Sequence, residues 1–375
     1  MRVLYFTRDY TPHDHRFLSA LAETQHTIFS LRLERRGRQL EDRPLPPQVE
    51  QVQWNGGQRP VRLIEAPALL TDLERVIERV QPDVIHAGPI QSAALLAALS
   101  GFHPLVSMSW GSDLLRDADR NWKMRFVTRY TLSHTTVLAG DCEAVRRKAG
   151  EFGFPAERVV LFPWGVDLQR FSPGQASELR NRLGWEDAFV ILSTRTWETL
   201  YGVDGVVKAF CQAAEREPRL RLMLLGGGSQ AAMLRKMLAQ HDLLDRVHFG
   251  GQISGDELPA YYRAADLYVS ASHSDGSSVS LMEALASGLP ALVSDIPGNH
   301  EWITPEENAG WLFADGDFNA LAEGMLRAAA APAGLNDQRQ AARALAERRA
   351  DWPKNFQQLL RAYELARELD DRKSQ

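Results

Sequence analysis

The chain has 375 residues, 44% of them hydrophobic and 24% charged, with a net charge of -5. That length exceeds what one hydrophobic core usually serves, so two domains are expected. The composition excludes disordered, collagen-like and disulfide-framed chains. Charge is unevenly spread: residues 1–172 carry 22 Lys and Arg against 20 Asp and Glu, and the remainder 21 against 28. This suggests an anionic partner for the first half, but there is no basic stripe of the kind that binds nucleic acid.

Short apolar runs alternate with helical patterns, as in parallel α/β sheets. Strands are expected at Arg2–Thr7, Thr27–Leu33, Val61–Glu65, Asp83–Ala87, Leu105–Trp110, Thr135–Ala139 and Arg158–Phe162. The first run is too short for a secretory leader and reads as a buried strand. Between strands, Leu73–Val80 and Gln91–Leu99 are amphipathic, while Glu34–Pro60, rich in Arg, Pro and Gln, reads as a mobile loop. Arg116–Thr131 sets Trp122, Phe126 and Tyr130 on one helical face beside Arg120, Lys123, Arg125 and Arg129. Such a face suits either an anionic membrane surface or packing on its own domain. Cys142 and Cys211 offer no metal or disulfide spacing, as in a cytosolic chain.

Turn chemistry at Pro163-Trp164-Gly165-Val166-Asp167 and Phe171-Ser172-Pro173-Gly174 marks a domain boundary. The expected domains are therefore 1–172 and 173–352. A second series of strands follows at Phe189–Thr194, Leu220–Leu225, Arg246–Phe249, Asp266–Ala271, Ala291–Ser294 and Trp311–Phe313, and then a helical tail broken at Asp351-Trp352-Pro353. The fold class is α/β, with two Rossmann-like doubly wound parallel-sheet domains. No stretch approaches the roughly 20 apolar residues of a membrane span. The chain is expected to be cytoplasmic, peripheral at most.

Three places carry chemistry. Leu225-Gly226-Gly227-Gly228-Ser229 ends a strand before the helix Gln230–Gln240, a geometry that lets backbone N–H groups approach a diphosphate or simply makes a tight turn. Asp275 precedes a small-residue loop and a helix starting near Ser277, where the N–H groups of Ser277, Ser278 and Val279 could meet phosphate oxygens. Glu283 lies within that helix, and both acids are suited to sugar hydroxyls or to plain capping. Arg195 stands at a strand's carboxyl end, where open α/β sheets bind ligands.

Together these residues resemble the family-4 glycosyltransferases of the GT-B fold. The resemblance runs through Leu225-Gly226-Gly227-Gly228, Val247-His248-Phe249-Gly250-Gly251, Tyr261-Tyr262-Arg263-Ala264-Ala265-Asp266 and the acid pair Asp275 and Glu283. It implies two domains facing a cleft, with residues 353–375 returning to the first. It also implies retaining hexosyl transfer from a nucleotide sugar, UDP- or GDP-linked, to a carbohydrate or lipid-linked acceptor in bacterial polysaccharide, lipopolysaccharide or glycolipid synthesis, with no metal or other cofactor.

Residue by residue, Arg195 would bind the diphosphate, Gly226, Gly227 and Phe249 would line the nucleotide pocket, and Glu283 would hold the ribose. Ser277, Ser278 and Val279 would meet the phosphates and Asp275 the donor sugar. Asp275, Arg195 and Asp113 are the catalytic candidates; His13, His15, His86 and Trp110 the acceptor-side ones. The chain departs from the family pattern at Tyr201, where a lysine is usual, and at Trp110, often a histidine. These departures leave room for a non-catalytic sugar-nucleotide-binding scaffold. A nicotinamide-dependent oxidoreductase would account for the glycines alone. Asp-x-Asp pairs at Asp117/Asp119 and Asp315/Asp317 are expected by chance among 24 aspartates.

Overall fold

The computed structural model describes residues 1–35, 41–175 and 178–372. It divides into two units, Met1–Phe162 with Phe356–Gln375, and Pro163–Asn355. In the first, strands β1 (Arg2–Thr7), β2 (Thr27–Arg32), β3 (Val49–Gln51), β4 (Val84–Gly88), β5 (Leu105–Met108), β6 (Val137–Gly140) and β7 (Val159–Leu161) form one sheet in the order β3-β2-β1-β4-β5-β6-β7. In the second, β8 (Phe189–Ser193), β9 (Leu220–Leu225), β10 (Val247–Gly251), β11 (Leu267–Ser270), β12 (Ala291–Ser294) and β13 (Gly310–Phe313) run β10-β9-β8-β11-β12-β13. All pairs described are parallel. Helices must therefore cover both faces, which explains strands buried along their whole length such as β4 and β8. Strand order reverses direction between β1 and β4, and again between β8 and β11, and the carboxyl ends at such reversals are where open α/β sheets bind ligands.

Two expectations fail within the first unit. Val61–Glu65 is not a strand: Leu63–Glu65 is a 3-10 turn feeding the helix Ala66–Val80, with Pro67 in its first turn and the Glu65 carboxylate accepting from the Arg62 N–H at 2.8 Å. Proline pre-sets helical φ at a helix start, which overrides the apolar pattern. The edge strand is β3 instead, inside the stretch expected to be a loop. Past it, Trp54 donates from Nε1 to the Arg32 carbonyl at 2.9 Å and meets Phe6 edge-on. Residues 36–40 of that stretch lie outside the described residues.

The division between units falls at Pro163 rather than after Ser172. Val166 donates to the Ala350 carbonyl at 2.7 Å and accepts from Trp352 N–H at 3.1 Å, so this segment is stitched to the end of the second unit. Gly165, at φ +71°, is needed because a Cβ there would lie 2.9 Å from the Ala350 carbonyl. The helix Trp352–Asp371 starts at that seam and, from Phe356 onward, belongs to the first unit. Its buried residues Phe356, Leu359, Ala362, Tyr363 and Ala366 recur every three or four positions, the spacing of one helical face. Among the described residues no helix is long and apolar enough to cross a membrane.

Candidate functional site

The polar centre of the second unit forms where β8 and β11 end, on either side of the strand-order reversal. Arg195, two residues beyond β8, has a side chain only 12% exposed. Its guanidinium donates to Ser278 Oγ at 2.8 Å, Ser280 Oγ at 3.0 Å and Asp275 Oδ2 at 2.6 Å. On its open face the carbon of the guanidinium lies 4.4 Å from the centre of the Tyr201 ring. Burial works against the charge, but Asp275 and the oxygens of Tyr268, Tyr201 and Tyr262 outweigh it and raise the pKa further. Arg195 is a fixed cation.

The loop after β11 reaches Arg195 because it is short, small and clamped. Ser277 Oγ accepts from Trp302 Nε1 at 3.2 Å, and a Cβ on Gly298 would lie 2.2 Å from the Gly276 carbonyl, so the helix Pro297–His300 presses directly on the loop. The helix that follows starts at Val279, two residues later than expected, with Ser278 as its N-cap. No side chain caps it, which leaves its first N–H groups as donors next to Arg195. Glu283, in that helix, accepts from Tyr262 Oη at 2.7 Å, and Tyr268 Oη lies 2.8 Å from Ser280 Oγ. Burial foremost, then Glu283, holds the Tyr262 hydroxyl well above its usual pKa, so it stays a donor.

The glycine loop after β9 is knitted to the loop after β8. Gly226, at φ +91°, donates to the Gly251 carbonyl at 2.6 Å, and a Cβ on Gly228 would lie 2.4 Å from the Trp197 carbonyl. The N–H groups that a dinucleotide would need are taken: Ser229 N–H by Glu198 Oε1 at 2.8 Å and Gln230 N–H by the Trp197 carbonyl at 3.1 Å. Gly227 faces open space. Phe249, on β10, meets Trp197 edge-on and lies under the Arg235 guanidinium at 3.9 Å. Of the donor-side candidates, Arg195, Asp275, Ser278 and Glu283 converge on one bonded cluster, with Ser277 and Val279 in its loop; Gly226, Gly227 and Phe249 lie along the neighbouring strand ends.

In the first unit the candidates part company. Asp113 is 5% exposed and its oxygens accept from Ser109 Oγ and from the N–H groups of Trp110, Leu114 and Ile90 at 2.6–3.0 Å. It organises the loop that carries Trp110, with three of these bonds on Oδ1 and one on Oδ2. His86 is 2% exposed, with Nδ1 2.7 Å from Tyr363 Oη and Nε2 2.8 Å from Met108 Sδ. Its ring ties β4 to the last helix. The half-buried His13 lies beside Trp110, ring centres 5.7 Å apart, while His15 turns to Tyr10 Oη at 2.7 Å. Thr11 and Asp14 form a capping box on the helix Pro12–Ala22, the other role open to that loop.

The Asp-x-Asp pairs are absorbed locally. Asp119 pairs with Arg125 and Lys148, Asp317 caps the helix Phe318–Ala330 through Ala320 N–H, and Asp315 bonds His273.

Two family models match the chain: "Glycosyl transferase 4-like" over residues 2–141 and "Glycosyl transferases group 1" over residues 175–345. The chain belongs to the family-4-like glycosyltransferases. It is 28% identical over 350 residues to the GDP-mannose-dependent alpha-(1-6)-phosphatidylinositol monomannoside mannosyltransferase of Mycobacterium tuberculosis, covering 84% of this chain and 85% of that one. It is 29% identical over 213 residues to the mannosylfructose-phosphate synthase of Agrobacterium fabrum, covering 52% of this chain but only 46% of the relative. Its fold is that of the GT-B enzymes. HepE of Anabaena in complex with UDP superposes with a TM-score of 0.79 at 18% identity over 97% of this chain and 100% of that one. Sucrose-phosphate synthase of Thermosynechococcus elongatus gives 0.78 at 19% over 97% and 98%.

Three members of this glycosyltransferase's polar cluster escaped the sequence reading: Tyr262, Tyr268 and Ser280. Tyr262 sits in a motif that carries the family resemblance, yet only the fold brings it 2.7 Å from a carboxylate 21 residues away.

Proposed function

We propose that the protein moves a hexose-type sugar from a UDP- or GDP-sugar to a carbohydrate or lipid-linked acceptor, with retention at the anomeric carbon and without a metal ion. The observation that carries this reading is Arg195 pointing at Ser278 and the uncapped helix behind it. Transfer leaves a diphosphate, and a buried guanidinium beside oriented N–H groups stabilises that developing charge without reorganisation. Asp275 and Glu283 accept sugar and ribose hydroxyls, Gly227 and Phe249 border the base, and His13 with Trp110 meets the acceptor. The activities for which the relatives are named, mannosyl transfer to a phosphatidylinositol mannoside and mannosylfructose-phosphate synthesis, support glycolipid or saccharide acceptors. The test is thermal shift against UDP-, GDP-, ADP- and dTDP-sugars with and without EDTA, followed by NMR of the product's anomeric centre. One nucleotide class should raise the melting point, turnover should survive EDTA, and the anomer should be kept. An inverted product or abolition by EDTA refutes the corresponding half.

Peripheral membrane contact is supported by the helix Trp122–Ser133. Trp122 and Phe126 are 74% and 67% exposed, while Tyr130 stacks on His134 and packs inward. Arg120, Lys123 and Arg129 are exposed close by in the sequence, with Lys123 Nζ 5.7 Å from the centre of the Trp122 ring, a pairing suited to anionic headgroups. The protein should co-sediment with phosphatidylglycerol-containing vesicles and lose that binding in W122A/F126A; equal sedimentation of both proteins refutes it.

A further inference from the structure

At the position where the family pattern carries a lysine, this chain places an aromatic ring under the Arg195 guanidinium. The placement is set by the backbone. Gly202, at φ +58°, packs so tightly that a Cβ would lie 2.0 Å from the Ala271 carbonyl. The preceding residue is thereby pinned beside the end of β11. Tyr201 closes the 3-10 turn Thr199–Tyr201 there and packs against the unit's core, its ring 4.4 Å beneath the Arg195 carbon. From the other side Asp275 Oδ2 grips the guanidinium at 2.6 Å. Arg195 Nε has no hydrogen-bond partner. The cation is thus held by a ring, two hydroxyls and a carboxylate, and the carboxylate is the only anion among them.

We propose that Tyr201 is a positioning residue that aims Arg195 in place of a second cation, and that Asp275 occupies the diphosphate's place on Arg195 until the donor exchanges for it. This rests on the glycosyltransferase reading above. A guanidinium stacks on an aromatic face with its edge donors free, so the Tyr201 ring fixes the plane of the fork without using its N–H groups. A carboxylate oxygen accepts from a guanidinium N–H as a phosphate oxygen does, so Asp275 Oδ2, at 2.6 Å from Arg195, stands where an oxygen of the diphosphate would bind. On exchange the Asp275 carboxylate is released from Arg195 and becomes an acceptor for the donor sugar's hydroxyls. No bond is made or broken in this step; one ion pair replaces another.

Two consequences separate this from a merely structural role. Removing the competing anion with Asp275→Asn should tighten binding of the free nucleoside diphosphate by roughly tenfold while lowering kcat, because the sugar-facing acceptor is weakened. Removing the ring with Tyr201→Ala should loosen the diphosphate by roughly tenfold. Tyr201→Phe, which keeps the ring, should restore it.

The experiment is calorimetry of UDP and GDP, with uridine and guanosine as references that carry no phosphate, on the full chain and on D275N, Y201A, Y201F, R195A and Y201A/R195A. Melting curves establish that each variant is folded. The expected result is that substitutions change the diphosphate-to-nucleoside affinity ratio and leave nucleoside binding alone, with Y201A adding nothing once Arg195 is gone. The proposal is overturned if D275N weakens the diphosphate, if Y201A leaves the ratio unchanged, or if Y201A and R195A effects simply add. If the unmodified protein binds neither UDP nor GDP, the donor assignment itself has failed, a different outcome from any of these.

Discussion

Arg195 makes three side-chain hydrogen bonds at 12% exposure, and its shape matters as much as its charge. A lysine delivers a point charge but cannot reach Ser278, Ser280 and Asp275 in one plane. Arg195→Lys should therefore lower kcat by roughly 100-fold, the scale of losing one preorganised transition-state donor, with the melting point nearly unchanged. Steady-state kinetics on the donor identified by thermal shift checks this; a variant that loses less than about threefold would place the charge stabilisation elsewhere. Arg195, Asp275 and Ser278 could be singled out in the sequence because each sits at a strand end or in a loop of small residues before a helix, and the structure brings the three together. Their partners were not legible. Arg195 and Asp275 are 80 positions apart, and Glu283 and Tyr262 are 21 apart. No periodicity encodes contacts made by strand order. At Asp113 and His86, for which the family resemblance implied cleft-side roles, the bonds to Ile90, Ser109 and Tyr363 are likewise ones that no spacing in the sequence encodes.

At the scale of elements, parallel strands announce themselves because burial on both faces leaves an unbroken apolar run, and β1, β9 and β12 fall where the pattern sets them. β3 has only Val49 buried, so its run is a single residue long and Pro- and Arg-rich surroundings mask it. The first helix shows what capping adds. Asp14, 1% exposed, accepts from Thr11 and from Tyr5 Oη at 2.9 Å, and burial lifts its pKa from 3.8 to about 6. Tyr5 also meets His86 edge-on at 4.7 Å, and burial pushes that imidazole down to about 3. Their linkage has opposite signs. Between pH 4 and 6 the native Asp14 keeps a proton that the unfolded chain has lost, so its term lowers stability as pH rises. Over the same range the unfolded His86 holds a proton that the native ring refuses, so its term raises stability with pH. Asp14→Asn should leave the histidine term alone and steepen the rise, by up to about 2–3 kcal/mol across that window; His86→Phe should turn it into a fall. Urea unfolding at pH 4, 5 and 6 reads both. Parallel curves for parent and D14N would mean that Asp14 ionises in the native state as it does unfolded.

For the molecule as a whole, two sheets of like build could be read from the repeated alternation of strand and helix. The seam between the units could not, because it depends on Val166 bonding to residues almost two hundred positions later. The last helix belongs to the first unit for a reason that packing makes plain: Tyr363 is fully buried and caps the His86 ring nitrogen. Truncating it by Tyr363→Ala removes a large ring and strands a buried imidazole, which together should cost about 3–5 kcal/mol. The loss should fall on one unit only. The polar cluster around Arg195 stands on β8, β11 and their own core, all within Pro163–Asn355. Hydrogen exchange resolved by peptide should then show faster exchange at β1, β4 and β5 in Y363A, with β8, β9 and β11 unchanged, and the nucleoside diphosphate should protect the loop at residues 271–278 in both proteins alike. Faster exchange spread evenly over the two sheets, with protection lost, would mean that the units fold as one and that the site depends on both.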